Sequence, residues 1–98
     1  MLELRPGCEH CDRELPPASR EARICTYECT FCATCADDVL HGICPNCGGN
    51  LVPRPIRPVA LLGIHPPSEA RVHKPVDLEV HAARVSELTR SGTFDPGR

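Results

Sequence analysis

Eight cysteines constrain this chain more than anything else in it, and all of them fall between residues 8 and 47 of 98. They run Cys8-x2-Cys11-x13-Cys25-x3-Cys29-x2-Cys32-x2-Cys35-x8-Cys44-x2-Cys47. Three C-x2-C knuckles are separable in that register: CEHC, CATC and CPNC. A knuckle lets two thiolates converge on one ion while N–H groups of its turn point back at the sulfurs. In CPNCGG, Pro45 fixes the start of the turn, and Gly48 and Gly49 accept positive φ and close approach to sulfur. Four thiolates at about 2.3 Å in a tetrahedron form a closed structural zinc site. Eight ligands make two such sites with none left over.

The rest of the composition shows why staples are needed. With two Phe, one Tyr and no Trp, large apolar side chains are scarce, and a chain this short buries only a modest fraction of its surface. Whether the staples are disulfides or metal depends on compartment. The N-terminus MLELRPGCEH carries Glu3 and Arg5 and no apolar h-region, so it does not read as a secretory signal. The longest apolar run, Val59 to Ile64, is too short to span a bilayer. A cytoplasmic chain is therefore expected, with reduced thiols that bind metal. Eight thiolates subtract eight charges and two Zn²⁺ add four, taking the formal net charge from −2 to −6. Such a balance argues against non-specific binding to nucleic acid.

The triplet Cys25-x3-Cys29-x2-Cys32 has the spacing by which radical S-adenosylmethionine enzymes hold a four-iron cluster. Such a cluster uses three cysteines and leaves one iron open. Here Cys35 follows directly, four further cysteines need partners, and the chain is too short for the barrel which that chemistry occupies. The triplet is the middle of a longer register, and an iron–sulfur enzyme is the weaker reading.

The full register resembles a RING finger, with Cys29 in the position usually held by histidine. The fold this implies is a small metal-stabilised domain: a RING-like (treble-clef-like) two-zinc cross-brace with short strands and a short helix. By the resemblance, Cys8, Cys11, Cys32 and Cys35 would bind one zinc, and Cys25, Cys29, Cys44 and Cys47 the other. Spacing alone leaves a sequential pairing open, with Cys8, Cys11, Cys25 and Cys29 on one ion and the last four on the other. Interleaving has a physical attraction, because two ions then cross-link the chain into one unit and substitute for a hydrophobic core. Closer still, MLELRPGCEHCDRELPP, ARICTYECTFCATCADDVLHGICPNCGG and LVPRPIRP resemble a small bacterial family, domain of unknown function 1272. That likeness covers about residues 1 to 58 and implies no activity.

These readings divide the chain into a double zinc-binding module (1–52), a proline-rich link (53–58) and an extension (59–98). In LVPRPIRP, Pro53, Pro55 and Pro58 exclude a helix and favour an extended connection. Within the extension, PVDLEVHAARVSELTRSG (75 to 92) reads as one helix, with its body over 76–91. Pro75 suits the first turn, Asp77 and Glu79 suit its positive end, Arg84 and Arg90 its negative end, and Gly92 a stop. Leu78, Ala82, Val85 and Leu88 form an apolar stripe expected to pack on the zinc module. His65, His73 and His81 read as surface residues, and Arg54 and Arg57 as solvated.

The functional expectation is a non-enzymatic zinc module that binds an unidentified protein partner, with neither membrane nor nucleic acid as its target. The alternative is a ubiquitin-ligase-like adaptor. RING ligases dock the conjugating enzyme with an apolar residue between the first two cysteines, a Trp on the central helix and a basic residue past the last cysteine. Here those positions hold His10, no Trp anywhere, and Gly48; the helical stretch ADDVLHG offers Val39 and Leu40. A catalytic zinc would need an open position and a base. His10 and His41 are the nearest candidates, and they are expected on the knuckle surface and at the end of the short helix.

Overall fold

The computed structural model describes residues 1–91. At its centre is a three-stranded antiparallel sheet in the order β2-β1-β3: β1 Ala22–Ile24, β2 Thr30–Cys32 and β3 Val52–Pro53. Ile24 faces Thr30 on one side and Val52 on the other. Isoleucine, threonine, valine and phenylalanine favour such extended backbone. Pro53 has no N–H to give, which an edge strand tolerates. Part of the expected extended connection is thus a strand of the sheet.

β2 is buried at all three residues, and its Phe31 is 0% exposed. Phe31 clusters with Leu15, Leu40 and Leu51 and with the buried cysteines, so the core and the sulfurs form one body. After β2 a short helix, Cys35–Val39, closes on wide turns. The Leu40 N–H donates to the Cys35 carbonyl at 2.8 Å and the Gly42 N–H to that of Ala36 at 2.7 Å. His41 then takes a left-handed φ of 55° and ends the turn. Leu40, considered from sequence as a docking residue, is fully buried; Val39 packs against the core beside it.

Arg54 departs from its sequence reading. It is 4% exposed, not solvated. Its guanidinium donates to the carbonyls of Arg5 (2.9 Å), Leu15 (3.3 Å) and Pro16 (2.9 Å), tying the N-terminal segment to β3. Burial lowers its pKa. Arg57 is likewise engaged, donating to the carbonyls of Leu2 and His65 at 2.7 Å each. Both guanidinium groups are thus occupied by backbone carbonyls of this chain.

Among the described residues the extension holds two helices where one was expected: α1 Val59–Leu62 and α2 Leu78–Ser91. Asp77 is the N-terminal cap of α2, its Oδ1 accepting from the Glu79 and Val80 N–H groups at 3.1 and 3.3 Å. The helix therefore starts two residues later than its expected body. The stop assigned to Gly92 and the side chain of Arg90 lie outside the described residues. The expected apolar stripe is rotated: Leu78 is 49% exposed and Ala82 is exposed, while Val85 and Leu88 are partly covered. His81 takes the inward position at 3% exposed, contrary to its surface reading, and its Nε2 lies 2.7 Å from the Leu40 carbonyl. The ring nitrogen gives a second partner to a buried carbonyl that already accepts from the Ile43 N–H at 3.2 Å. His65 and His73 are exposed, as expected.

Two substitutions test these anchors. Arg54→Ala leaves three carbonyls without their donor and should cost about 3 kcal/mol or more in urea unfolding, because each unsatisfied buried acceptor costs about 1–3 kcal/mol. His81→Ala removes one bond and should cost about 1–3 kcal/mol, with loss of helical circular dichroism from α2.

Candidate metal centres

Two knuckles share one construction. The bridge Gly7–Glu14 closes the first and Ile43–Asn50 the last. The Cys8 N–H donates to the Arg13 carbonyl at 2.9 Å, and the Cys44 N–H to that of Gly49 at 2.7 Å. In both, the residue after the second cysteine is left-handed: Asp12 at φ 65° and Gly48 at φ 80°. Aspartate is among the few side chains that accept this backbone. Gly49 does not share the positive φ expected for it. It provides close approach instead, since a Cβ there would lie 3.4 Å from the Cys47 sulfur that its own N–H meets.

The structure brings Cys8, Cys11, Cys32 and Cys35 together, their sulfurs all within 4.8 Å of one another. The first knuckle thus meets the end of β2 and the start of the short helix, in the interleaved and not the sequential arrangement. Thiolates 2.3 Å from a common tetrahedral centre lie about 3.8 Å apart. The Cys11 and Cys32 sulfurs are 3.7 Å apart. The second group within 4.8 Å is Cys25, Cys44 and Cys47. Cys29, read from sequence as its fourth member, is beside Cys25 but outside this set.

The thiol chemistry fits a cation at each cluster. Burial, reinforced by neighbouring thiols, raises Cys35, and burial raises Cys44, where the nearby Cys29 and Cys25 add to it. Burial likewise raises Cys11 and Cys29. Burial also opposes ionisation of Cys32, but the Cys35 N–H and the surrounding thiols outweigh it and hold Cys32 low. Crowded, desolvated thiols cannot all ionise without a central positive charge, which a metal ion supplies. Backbone N–H groups already point at the sulfurs: Tyr27 to Cys25 at 3.3 Å, Asn46 to Cys44 at 3.4 Å, Cys35 to Cys32 at 3.5 Å. All eight cysteines are free of disulfides.

Glu9, inside the first knuckle, is the residue that sequence reasoning missed. It is 3% exposed. One carboxylate oxygen accepts from Arg5 and from the Thr30 N–H, each at 2.7 Å, and the other from the Asn46 amide at 3.3 Å. Its backbone N–H donates to the Thr30 carbonyl at 3.0 Å, and its own carbonyl accepts from the Lys74 N–H at 2.7 Å. Glu9 therefore links the first knuckle to β2, to the last knuckle and to the extension. The available signal was Arg5, a cation four residues before an acid that lies between two cysteines.

The histidines considered as ligands belong to neither cysteine group. His10 is partly covered by the extension, its Nδ1 accepting from the Val76 N–H at 2.9 Å. His41 is exposed in its left-handed turn.

The first 57 residues match the model of a family described as "Protein of unknown function (DUF1272)". This chain belongs to that family. It is 64% identical over 75 residues to an uncharacterized protein of Rhizobium meliloti (strain 1021), a match spanning 76% of this chain and 89% of the relative. Because 75 residues exceed the 57 of the family match, the likeness to that relative continues into the extension. No solved structure matches the chain. No helix among the described residues is long and apolar enough to cross a membrane.

Glu9→Ala should cost about 3–5 kcal/mol in urea unfolding, as breaking a buried ion pair does. Glu9→Gln keeps the shape but not the charge opposite Arg5, and should fall between Glu9→Ala and the unmodified chain.

Proposed function

We propose that this chain is a two-zinc structural module, a RING-like cross-brace that serves in the cytoplasm as a non-enzymatic adaptor between proteins. The observation that carries the reading is the first cluster: four thiols from two separate segments with all sulfurs within 4.8 Å, the Cys11–Cys32 pair at 3.7 Å as a tetrahedral shell requires. A closed shell of four thiolates gives zinc no position for water; with Cys29 as the fourth ligand of the second cluster, both sites serve folding and not catalysis. His10 and His41, the only histidines near the cysteines in sequence, are a hydrogen-bond acceptor for the extension and an exposed turn residue.

The ligase-like alternative has less support. Its docking positions lie around His10, the short helix and the last knuckle, and the chain's own extension lies against them. Val76 meets His10, His81 meets Leu40, and Arg84 donates to the Pro45 carbonyl at 2.9 Å. A partner is better met by the apolar segment 56–64, where Ile56, Val59, Leu61 and Ile64 are exposed.

Metal analysis of the purified chain should give two zinc ions, and chelation should abolish its native circular dichroism. Apparent metal-binding free energies of about 10–16 kcal/mol per structural site exceed a small domain's stability. One ion, iron with visible absorbance, or a chelated chain that stays folded refutes the zinc reading. His10→Ala and His41→Ala should keep both ions, with His10→Ala costing about 1 kcal/mol for its lost hydrogen bond. For the adaptor role, a partner captured by the intact chain should be lost on Val59→Ser with Ile64→Ser. A catch unchanged by that pair places the interface elsewhere.

A further inference from the structure

The two cysteine clusters are not equivalent, and the difference begins with one residue of spacing. Where the other knuckles place their second cysteine three residues after the first, Cys25 is followed at that distance by Glu28, and Cys29 comes one later. The extra residue is absorbed by a left-handed Glu28 at φ 64°. Its N–H donates to the Cys25 carbonyl at 3.1 Å, and the Cys25 N–H to the Cys29 carbonyl at 3.3 Å, so the turn closes around the insertion. Cys29 is thereby carried to the start of β2, beyond the 4.8 Å grouping that Cys25, Cys44 and Cys47 form. Its sulfur is held by the Asn46 side chain, the same amide that reaches Glu9. It also borders a surface pocket of about 410 Å³ lined by Tyr27, Cys29, Asn46 and Cys47. The four sulfurs of the first cluster are drawn together with no such outlier.

We propose that Cys29 is the labile arm of the second cluster, so that this cluster exchanges its metal and meets thiol-reactive electrophiles before the first does. The inference rests on the two-zinc reading above. Exposure alone would nominate Cys11 and Cys47, which are both exposed, whereas Cys29 is 8% exposed. Geometry decides otherwise for Cys11, whose sulfur is already seated at 3.7 Å from that of Cys32. Cys29 has the least to give up: it is the one cysteine outside the close sets, and the pocket leaves room beside it for a small planar electrophile.

The test uses the full zinc-loaded chain and limiting N-ethylmaleimide, with native mass spectrometry for metal content and peptide mapping for the site of label. The Cys29 sulfur adds to the maleimide double bond: an S–C bond forms as the C=C π bond breaks, and the neighbouring carbon takes a proton from water. The expected product is a one-zinc species labelled first at Cys29, with Cys8, Cys11, Cys32 and Cys35 unlabelled. Simultaneous loss of both ions, first label within the Cys8 cluster, or first label at Cys47 with Cys29 still protected overturns the proposal. A chain that carries no pair of zinc ions before reagent is added fails the zinc reading itself, so the two failures are told apart at the start.

Discussion

The meeting of Cys8 and Cys11 with Cys32 and Cys35 is the constraint on which the remaining structure depends. Residues 8–11 and 32–35 are separated by β1 and the first two residues of β2. Bringing their four sulfurs within 4.8 Å fixes where the first knuckle sits against the sheet. It also places Leu15 beside Phe31 in the core cluster. A short chain with one buried phenylalanine among its described residues has little else to oppose its conformational entropy. Strands of two and three residues are marginal alone, and the gathering of the four sulfurs is positioned to hold them through a metal ion.

Polar groups then do what apolar bulk does in larger domains. Glu9 and Arg54 are the two hubs, one an acceptor for donors from three segments and the other a donor to carbonyls on both sides of the first knuckle. Both are buried charges, which are costly unless paired and hydrogen-bonded. Glu9 meets the condition with Arg5. Arg54 meets it in part, with carbonyl dipoles on its two terminal nitrogens while its buried Nε has no partner, an arrangement that suits a planar, weakly hydrated guanidinium better than an ammonium. The first knuckle is thus tied in twice, through the gathering of its sulfurs with Cys32 and Cys35 and through the Glu9 carboxylate.

The cysteine positions carried most of what could be read in advance. Their register separated the knuckles, and the RING resemblance favoured the interleaved grouping that places Cys8 with Cys32. The x3 gap before Cys29 was equally visible in the sequence. Its consequence was not, because only the left-handed Glu28 shows which way the inserted residue turns the chain. The start of α2 was legible, since Asp77 is a capping residue by type and places the first turn at Leu78. Its buried face was not: apolar spacing alone drew the stripe through Leu78 and Ala82, and the Leu40 carbonyl that His81 meets leaves no mark in the sequence. Arg54 was hidden more deeply, since its partners are the backbone carbonyls of residues 5, 15 and 16, which leave no trace in side-chain pattern. Glu9 had one legible partner in Arg5, while its bonds to the Thr30 N–H and the distant Asn46 amide had no local signal.

The extension shows where such hidden bonds accumulate. Going outward from α1 it is held by the Ser68 N–H on the Leu4 carbonyl, the Arg71 guanidinium on Asp12 and Glu14, the Lys74 N–H on Glu9 and the Val76 N–H on His10. Most of these partners belong to the first knuckle or its flanks, so the strap closes over the segment that the first cluster has already fixed in place. The exposed ion pairs among them add little each. The backbone bonds are another matter, because they require the knuckle turn to hold its shape, with Asp12 left-handed and Glu9 facing inward. The dependence therefore runs one way. Loss of the sulfur cross-link unmakes the strap's docking surface, while loss of the strap leaves the four sulfurs of the first cluster their own hairpin and sheet.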